Sequence, residues 1–259
     1  MGQLDGKSAL VVGVSNDRSI AWGIAQALHR EGAKVAFSYQ PLMESRARPL
    51  AESLGATFIE PLELTSEESL AGFMAKLQEH AGTLDILVHS VAYANREDLM
   101  GRFVDTSREG FAMALDVSCY SFVGLTRAAL PLLAEDASVL TMTYYGSQKV
   151  APSYNVMGVA KAALEAAVRY MASDLGPQGI RVNAISAGPI RTLAASGIRG
   201  FRDYQKAFTN VAPLRRHVTT EDVGATAAFL CSAAARGITG EVLYVDSGYN
   251  IMGLAVDQE

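Results

Sequence analysis

A chain of 259 residues, 49% hydrophobic and 19% charged, can bury a sizeable core and is too apolar to remain disordered. Its net charge of -5 excludes nucleic acid as the main partner, because a phosphate backbone calls for a basic stripe that the sequence lacks. No apolar run approaches the roughly 18 residues of a membrane span. The opening MGQLDGK leads into no signal-type apolar core and carries Gly6 where myristoylation needs Ser or Thr, so a cytoplasmic location and no membrane partner are expected.

Ser8 to Val14 is a continuous apolar run ended by polar residues, as a strand buried on both faces should be. Ser19 then opens a helix with Ile20, Ile24, Ala27 and Leu28 on one face and Gly32 as its stop. Strand, glycine turn and helix in this order suit a dinucleotide: Gly13 allows close backbone approach to a pyrophosphate, and the helix start at Ser19 and Ile20 offers unpaired N–H groups. The full G-x-G-x-x-G spelling is absent, so any βα turn of a parallel sheet also fits.

Lys34 to Tyr39 is the second strand, followed by Gln40 where the adenosine ribose is expected. A neutral residue there favours NADH over NADPH, although Arg46 and Arg48 on the following helix are within reach of a 2′-phosphate. Thr57 to Leu62 and Ser66 to Gly82 form a third strand and helix, with Glu63 and Leu64 at the loop where adenine would lie. Leu84 to His89 is the fourth strand, leading into Ser90 to Ala94, whose small side chains let a flat ring lie close to the backbone. His89 reads best as a core histidine.

Thr106 with Glu109 spells a capping box opening one long helix toward Leu133. Ala137 to Met142 is the fifth strand, Ile180 to Ile185 the sixth and Glu241 to Asp246 the seventh, with a last long helix over 221–235. Residues 192–208 mix glycines with alternating apolar and basic side chains and no firm helical face. They are expected to be a lid over a substrate pocket. Cys119 and Cys231 read as small core residues, and His29, His80, His89 and His217 lack metal-ligand spacing, so no metal is expected. The predicted architecture is an α/β single doubly wound Rossmann-like domain over 1–259, with a seven-stranded parallel sheet and helices on both faces.

The chemistry concentrates between Thr143 and Lys161. Apolar residues recur at helical spacing from Tyr154 to Leu175, and Gly176-Pro177 ends the pattern. Tyr154 and Lys161 are almost two turns apart, which puts them on one side of this helix, about 10 Å apart along its axis. An ammonium beside a phenol favours ionisation or strong hydrogen donation and can hold sugar hydroxyls. The same pair also fits a surface tyrosine at a helix start and a solvated lysine.

With these elements in place, the sequence resembles the short-chain dehydrogenase/reductase superfamily over its whole length, and within it the bacterial enoyl-acyl carrier protein reductases. The resemblance rests on GVSNDRSIAWGIA, HSVAYA, the Tyr144 and Tyr154 pair, YNVMGVAKAALEA and RVNAISAGPIRTLAASGI. It implies NADH-dependent reduction of a trans-2-enoyl group carried on acyl carrier protein, with Tyr144, Tyr154 and Lys161 as catalytic residues. It further implies cofactor contacts at Gly13, Ser19, Ile20, Gln40, Glu63, Leu64, Val91, Lys161, Ile190, Arg191, Thr192, Leu193 and Ala194, and substrate contacts at Ala94, Tyr144 and Tyr154. Glu63 stands where the family pattern expects an aspartate. Carbonyl reductases of the superfamily place their tyrosine four residues before the lysine, where this chain has Met157. A carbonyl or alcohol dehydrogenase and a non-catalytic dinucleotide sensor are the alternatives. The resemblance also implies a homotetramer, and the acidic carrier needs a basic docking patch, for which Arg199, Arg202 and Lys206 are the candidates.

Overall fold

A computed structural model describes residues 2–192 and 201–253. Seven parallel strands form one sheet in the order β3-β2-β1-β4-β5-β6-β7. They are β1 (Ser8–Val12), β2 (Lys34–Tyr39), β3 (Ile59–Pro61), β4 (Leu84–His89), β5 (Leu133–Thr143), β6 (Arg181–Ala187) and β7 (Val242–Val245).

The helices are α1 (Ile20–Arg30), α2 (Glu44–Ser53), α3 (Glu67–Ala81), α4 (Arg108–Leu115), α5 (Ser121–Ala129), α6 (Val156–Leu175), α7 (Phe201–Val211) and α8 (Thr220–Cys231). Strand alternation divides the core into two layers. Ala9, Val11, Val35 and Phe37 face one side and meet Ile24 and Leu28 of α1, Ala47 of α2 and Val223 of α8. Leu10, Val12 and Ala36 face the other and meet Leu77 of α3, Phe122 of α5 and Leu164 of α6. Burying both faces is why the strands read as near-continuous apolar runs.

β1 and β4 are neighbours, with Val12 opposite His89, yet β1 connects toward β2 and β4 toward β5. Their following loops diverge at this point, and a crevice at the carboxyl ends of the strands results.

Several expected elements differ: β5 begins at Leu133 rather than Ala137, and the last long helix ends at Cys231, short of Ala235. The helix spanning 106–133 is divided into α4, a π-helical stretch Asp116–Tyr120, and α5. Its cap is Ser107, which accepts from Gly110 N at 2.9 Å. Asp98 Oδ1 holds the Ser107 amide at 3.0 Å and so fixes which residue becomes the cap, while Thr106 Oγ1 donates to the Phe103 carbonyl instead. Residues 201–211 are helical where no helix was expected, and α7 is anchored by the buried Phe208, whose ring stacks on Tyr249 with centroids 4.9 Å apart. Finally, α6 begins at Val156, two residues after Tyr154.

Candidate active site

The expected site residues among the described ones lie on the segments that follow the carboxyl ends of β1 to β6, with Lys161 on α6. After β1, Gly13 adopts φ +105, and a Cβ there would collide with the Ser90 carbonyl oxygen and approach Val91 Cγ2 to 3.0 Å. Glycine at this place lets the first turn lie against the loop after β4, which brings Gly13 and Val91 together. Ser19 is the N-cap of α1 in position, but its hydroxyl donates to the Asn16 carbonyl at 2.7 Å rather than capping the helix.

On the adenosine side, Gln40 is exposed beyond β2. Arg48 does not reach back toward it: the guanidinium donates to Tyr39 Oη at 2.9 Å, to Glu44 Oε1 at 3.0 Å and to the Ile59 carbonyl at 3.3 Å. Arg46 instead lines an open cleft with Arg18, Asn16 and Asp17. Beyond β3, Glu63 turns its carboxylate onto Thr65 Oγ1 at 2.9 Å, and Leu64 packs on the core.

Ser118, in the π-helical stretch, fastens the loop after β4. Its hydroxyl accepts from Tyr93 N at 2.9 Å and donates to the Tyr93 carbonyl at 3.0 Å. Tyr93 lies between Val91 and Ala94, so one buried serine sets the course of both. Ala94 and Tyr154 pack against the same small cluster of Ala114, Val156, Met157 and Ala160.

The phenol pair sits where β5 passes into α6. The Tyr144 and Tyr154 rings meet nearly edge to face, centroids 4.9 Å apart. A Cβ on Gly146 would come within 2.6 Å of Tyr154 Cδ1 and 3.0 Å of Tyr144 Cδ1, so glycine is required between them. Tyr154 is not on the helix. It occupies the turn before α6, flanked by Ser153 at φ +61 and Asn155 at φ +40, both left-handed. Non-glycine residues at positive φ on both sides of one residue cost of order 1–3 kcal/mol each, and strain of this kind gathers at working sites.

Lys161 is buried on α6, and its Nζ donates to the Met142 carbonyl at 2.8 Å. Burial pulls its pKa from 10.5 to about 8, opposed by its interactions with Cys119 and Glu165. Beyond β6, Ile190 packs on the core, Arg191 is exposed, and Thr192 N donates to the Ile190 carbonyl at 2.9 Å. Gln205 of α7 donates to the Pro189 carbonyl at 3.0 Å. Leu193, Ala194 and Arg199 lie outside the described residues, as does the side chain of Arg202; Lys206 is exposed.

His89 is a core histidine. Ser121 Oγ donates to the Val117 carbonyl, so it accepts from His89 Nε2 at 2.9 Å, and His89 Nδ1 then accepts from Thr141 Oγ1 at 3.1 Å. That network holds a neutral ring, and burial, with the nearby Lys161 charge, depresses its pKa from 6.5 to about 3. The unfolded chain takes up a proton near pH 6.5 that the folded chain refuses until about pH 3, so stability falls as pH drops through that window. The loss amounts to about 5 kcal/mol over its full width. Urea unfolding at stepped pH should show one more proton taken up on unfolding for the wild type than for His89→Gln; equal slopes would contradict this account.

Among the described residues no cluster of three or more metal-ligating side chains occurs, and no helix is long and apolar enough to cross a membrane.

Comparison with known proteins identifies the family. Residues 13–250 match the family model described as Enoyl-(Acyl carrier protein) reductase. The chain is 51% identical to the enoyl-[acyl-carrier-protein] reductase [NADH] FabI of Aquifex aeolicus, covering 98% of this chain and 95% of that one. It superimposes with TM-score 0.96 on the Bacillus cereus enoyl-acyl carrier protein reductase solved with NADP+ and indole naphthyridinone, 49% identical over 98% and 100% of the two chains. With the Anaplasma phagocytophilum reductase solved with NAD the TM-score is 0.93, at 45% identity over 98% and 96%. A family model matched over most of the chain, and likeness to these reductases along its whole length, lead to one conclusion: this chain belongs to the enoyl-(acyl carrier protein) reductase family.

Proposed function

We infer that the chain reduces the trans-2 double bond of enoyl-acyl carrier protein with NADH, the saturating step of fatty-acid elongation. The observation that carries this reading is the buried Lys161 ammonium beneath the segment that bears Tyr144 and Tyr154. A dinucleotide fits the residues present. The turn after β1 is closed down by Gly13, α1 begins at Ile20, where a helix start turns N–H groups toward an anion, and Lys161 has further donors beyond the one that Met142 takes.

Gly13, Ser19 and Ile20 would hold the pyrophosphate, Gln40 the adenosine ribose, Glu63 and Leu64 the adenine, Val91 and Lys161 the nicotinamide side, and Ile190 to Ala194 the carboxamide. When bound, NADH supplies hydride to the β-carbon. Tyr154 donates a hydrogen bond to the thioester oxygen as enolate charge builds there, an interaction strongest in the transition state. Lys161 holds ribose hydroxyls and lends positive potential to the same place. Tyr144 supports the Tyr154 ring and, with Ala94, lines the acyl site.

Residues 192–208 serve as a lid, with its inner end fixed where Phe208 enters the core. Arg199, Arg202 and Lys206 on this segment receive the acidic carrier protein. The protein works in the cytoplasm as a homotetramer, and exposed apolar side chains such as Val104, Tyr170 and Ile251 supply surface for self-association.

A carbonyl reductase is disfavoured because position 157 holds a buried methionine, and a mere sensor has no use for a buried ammonium. Mixing the protein with NADH and a crotonyl thioester should deplete NADH absorbance, while a simple ketone should leave it unchanged. Oxidation of NADH by the ketone alone, or by neither, would overturn the assignment.

A further inference from the structure

Glu165 is a buried carboxylate that the reaction just described leaves without a task. It stands one turn after Lys161 on α6, so the two side chains share a helix face with Cβ atoms about 5–6 Å apart. Its Oε1 accepts from Thr143 Oγ1 at 2.7 Å and from Ser147 Oγ at 2.5 Å. These hydroxyls bracket Tyr144, one residue before it and three after. The Lys161 bond to the Met142 carbonyl joins the same corner, so three hydrogen bonds tie the end of β5 to α6.

Two hydroxyl donors do not need an ionised acceptor; a glutamine would satisfy them equally. Burying a carboxylate costs several kcal/mol and calls for a compensating charge. Among the described residues Glu165 belongs to no direct ion pair, and the cation on its face is Lys161. Their attraction acts through protein interior, where screening is weak.

The other groups around Lys161 do not replace it. His89 of β4 is neutral. Cys119 of the π-helical stretch interacts with the ammonium, but burial raises its own pKa, so near neutral pH it is an uncharged thiol. Tyr144 and Tyr154 lie on the segment leading into α6, and Tyr244 of β7 has its pKa raised by burial first and by Glu165 second. Glu165 is the carboxyl group that shares the ammonium's helix face.

We propose that Glu165 is a positioning residue for this reaction: its carboxylate fastens the Tyr144 segment to α6 and is the counter-charge that keeps Lys161 protonated in the cleft. The proposal rests on the role assigned to Lys161 above.

The test follows NADH affinity by nucleotide fluorescence, and kcat/KM, from about pH 6 to about pH 10, the range spanning a depressed lysine. Wild type should weaken as pH rises through the ammonium's range. Glu165→Gln keeps the hydroxyl acceptor and loses the charge; its decline should begin about one unit lower, so that kcat/KM falls about twofold at neutral pH and about tenfold above pH 8. Glu165→Asp keeps the charge and loses reach, so turnover should fall with the decline in place; it also carries the test if the glutamine variant does not fold. Lys161→Met should show no such decline. Coincident declines in wild type and Glu165→Gln, with Lys161→Met flat, would overturn the counter-charge role alone; a moved decline in Glu165→Asp would do the same. A decline persisting in Lys161→Met would overturn the underlying assignment of the lysine.

Discussion

Tyr154→Phe should lower kcat by about 10²–10³ while changing NADH affinity by no more than about twofold, the magnitudes that follow from removing one donor to a developing oxyanion. The substitution removes a hydroxyl and little else. A phenylalanine ring can keep the edge-to-face contact with Tyr144, and the left-handed residues Ser153 and Asn155 continue to fix the backbone on either side. What disappears is a hydrogen bond that strengthens as charge moves onto the thioester oxygen, so the loss belongs in turnover rather than in binding. Single-turnover kinetics with saturating NADH read this directly. Tyr144→Phe serves as the control and should lose less; an equal or larger loss there would exchange the two phenols' roles.

Lys161→Met should have the opposite character, weakening NADH binding at least about tenfold while making the fold more stable. The ammonium's pKa falls from 10.5 to about 8 on burial, a cost of about 3 kcal/mol that already counts the attraction of Glu165. Methionine removes that cost and fills a similar volume, at the loss of one hydrogen bond to the Met142 carbonyl worth about 1 kcal/mol. The net gain should raise Tm by about 4 °C at neutral pH.

The pH dependence has a definite sign. Between about pH 8 and 10.5 the unfolded chain holds a proton that the folded chain has released, so wild-type stability rises with pH across that window. The advantage of the variant should be largest below pH 8 and disappear above 10.5. Calorimetry at stepped pH checks this; a variant less stable than wild type at neutral pH would mean that the lysine is not buried as a charge.

The sheet was legible because its strands are buried on both faces and its helices carry one apolar stripe; Leu10 and Val11, adjacent in sequence, enter opposite layers as alternation requires. Lys161 was legible for the same periodic reason. The true start of α6 was not: Ser153 carries no signature for positive φ, and Asn155, which tolerates it, also falls inside the helical spacing. Arg48 looked available to a nucleotide because its tie to Tyr39 is a tertiary contact. Glu165 and Ser118 escaped notice for a related reason: their partners lie 22 and 25 residues away in the chain, beyond any local pattern. The i+4 spacing from Lys161 was the one hint available for Glu165.

The burial of Met157 bears on how this branch of the superfamily parted from the carbonyl reductases. That side chain is wedged among Ala114, Val156 and Ala160, under the floor on which Tyr154 rests. A tyrosine introduced there would have to evict its neighbours before its hydroxyl reached any ligand. Moving the phenol from the turn before α6 onto the helix itself is therefore a matter of rebuilding a wall, and no exchange of two residues carries one chemistry into the other.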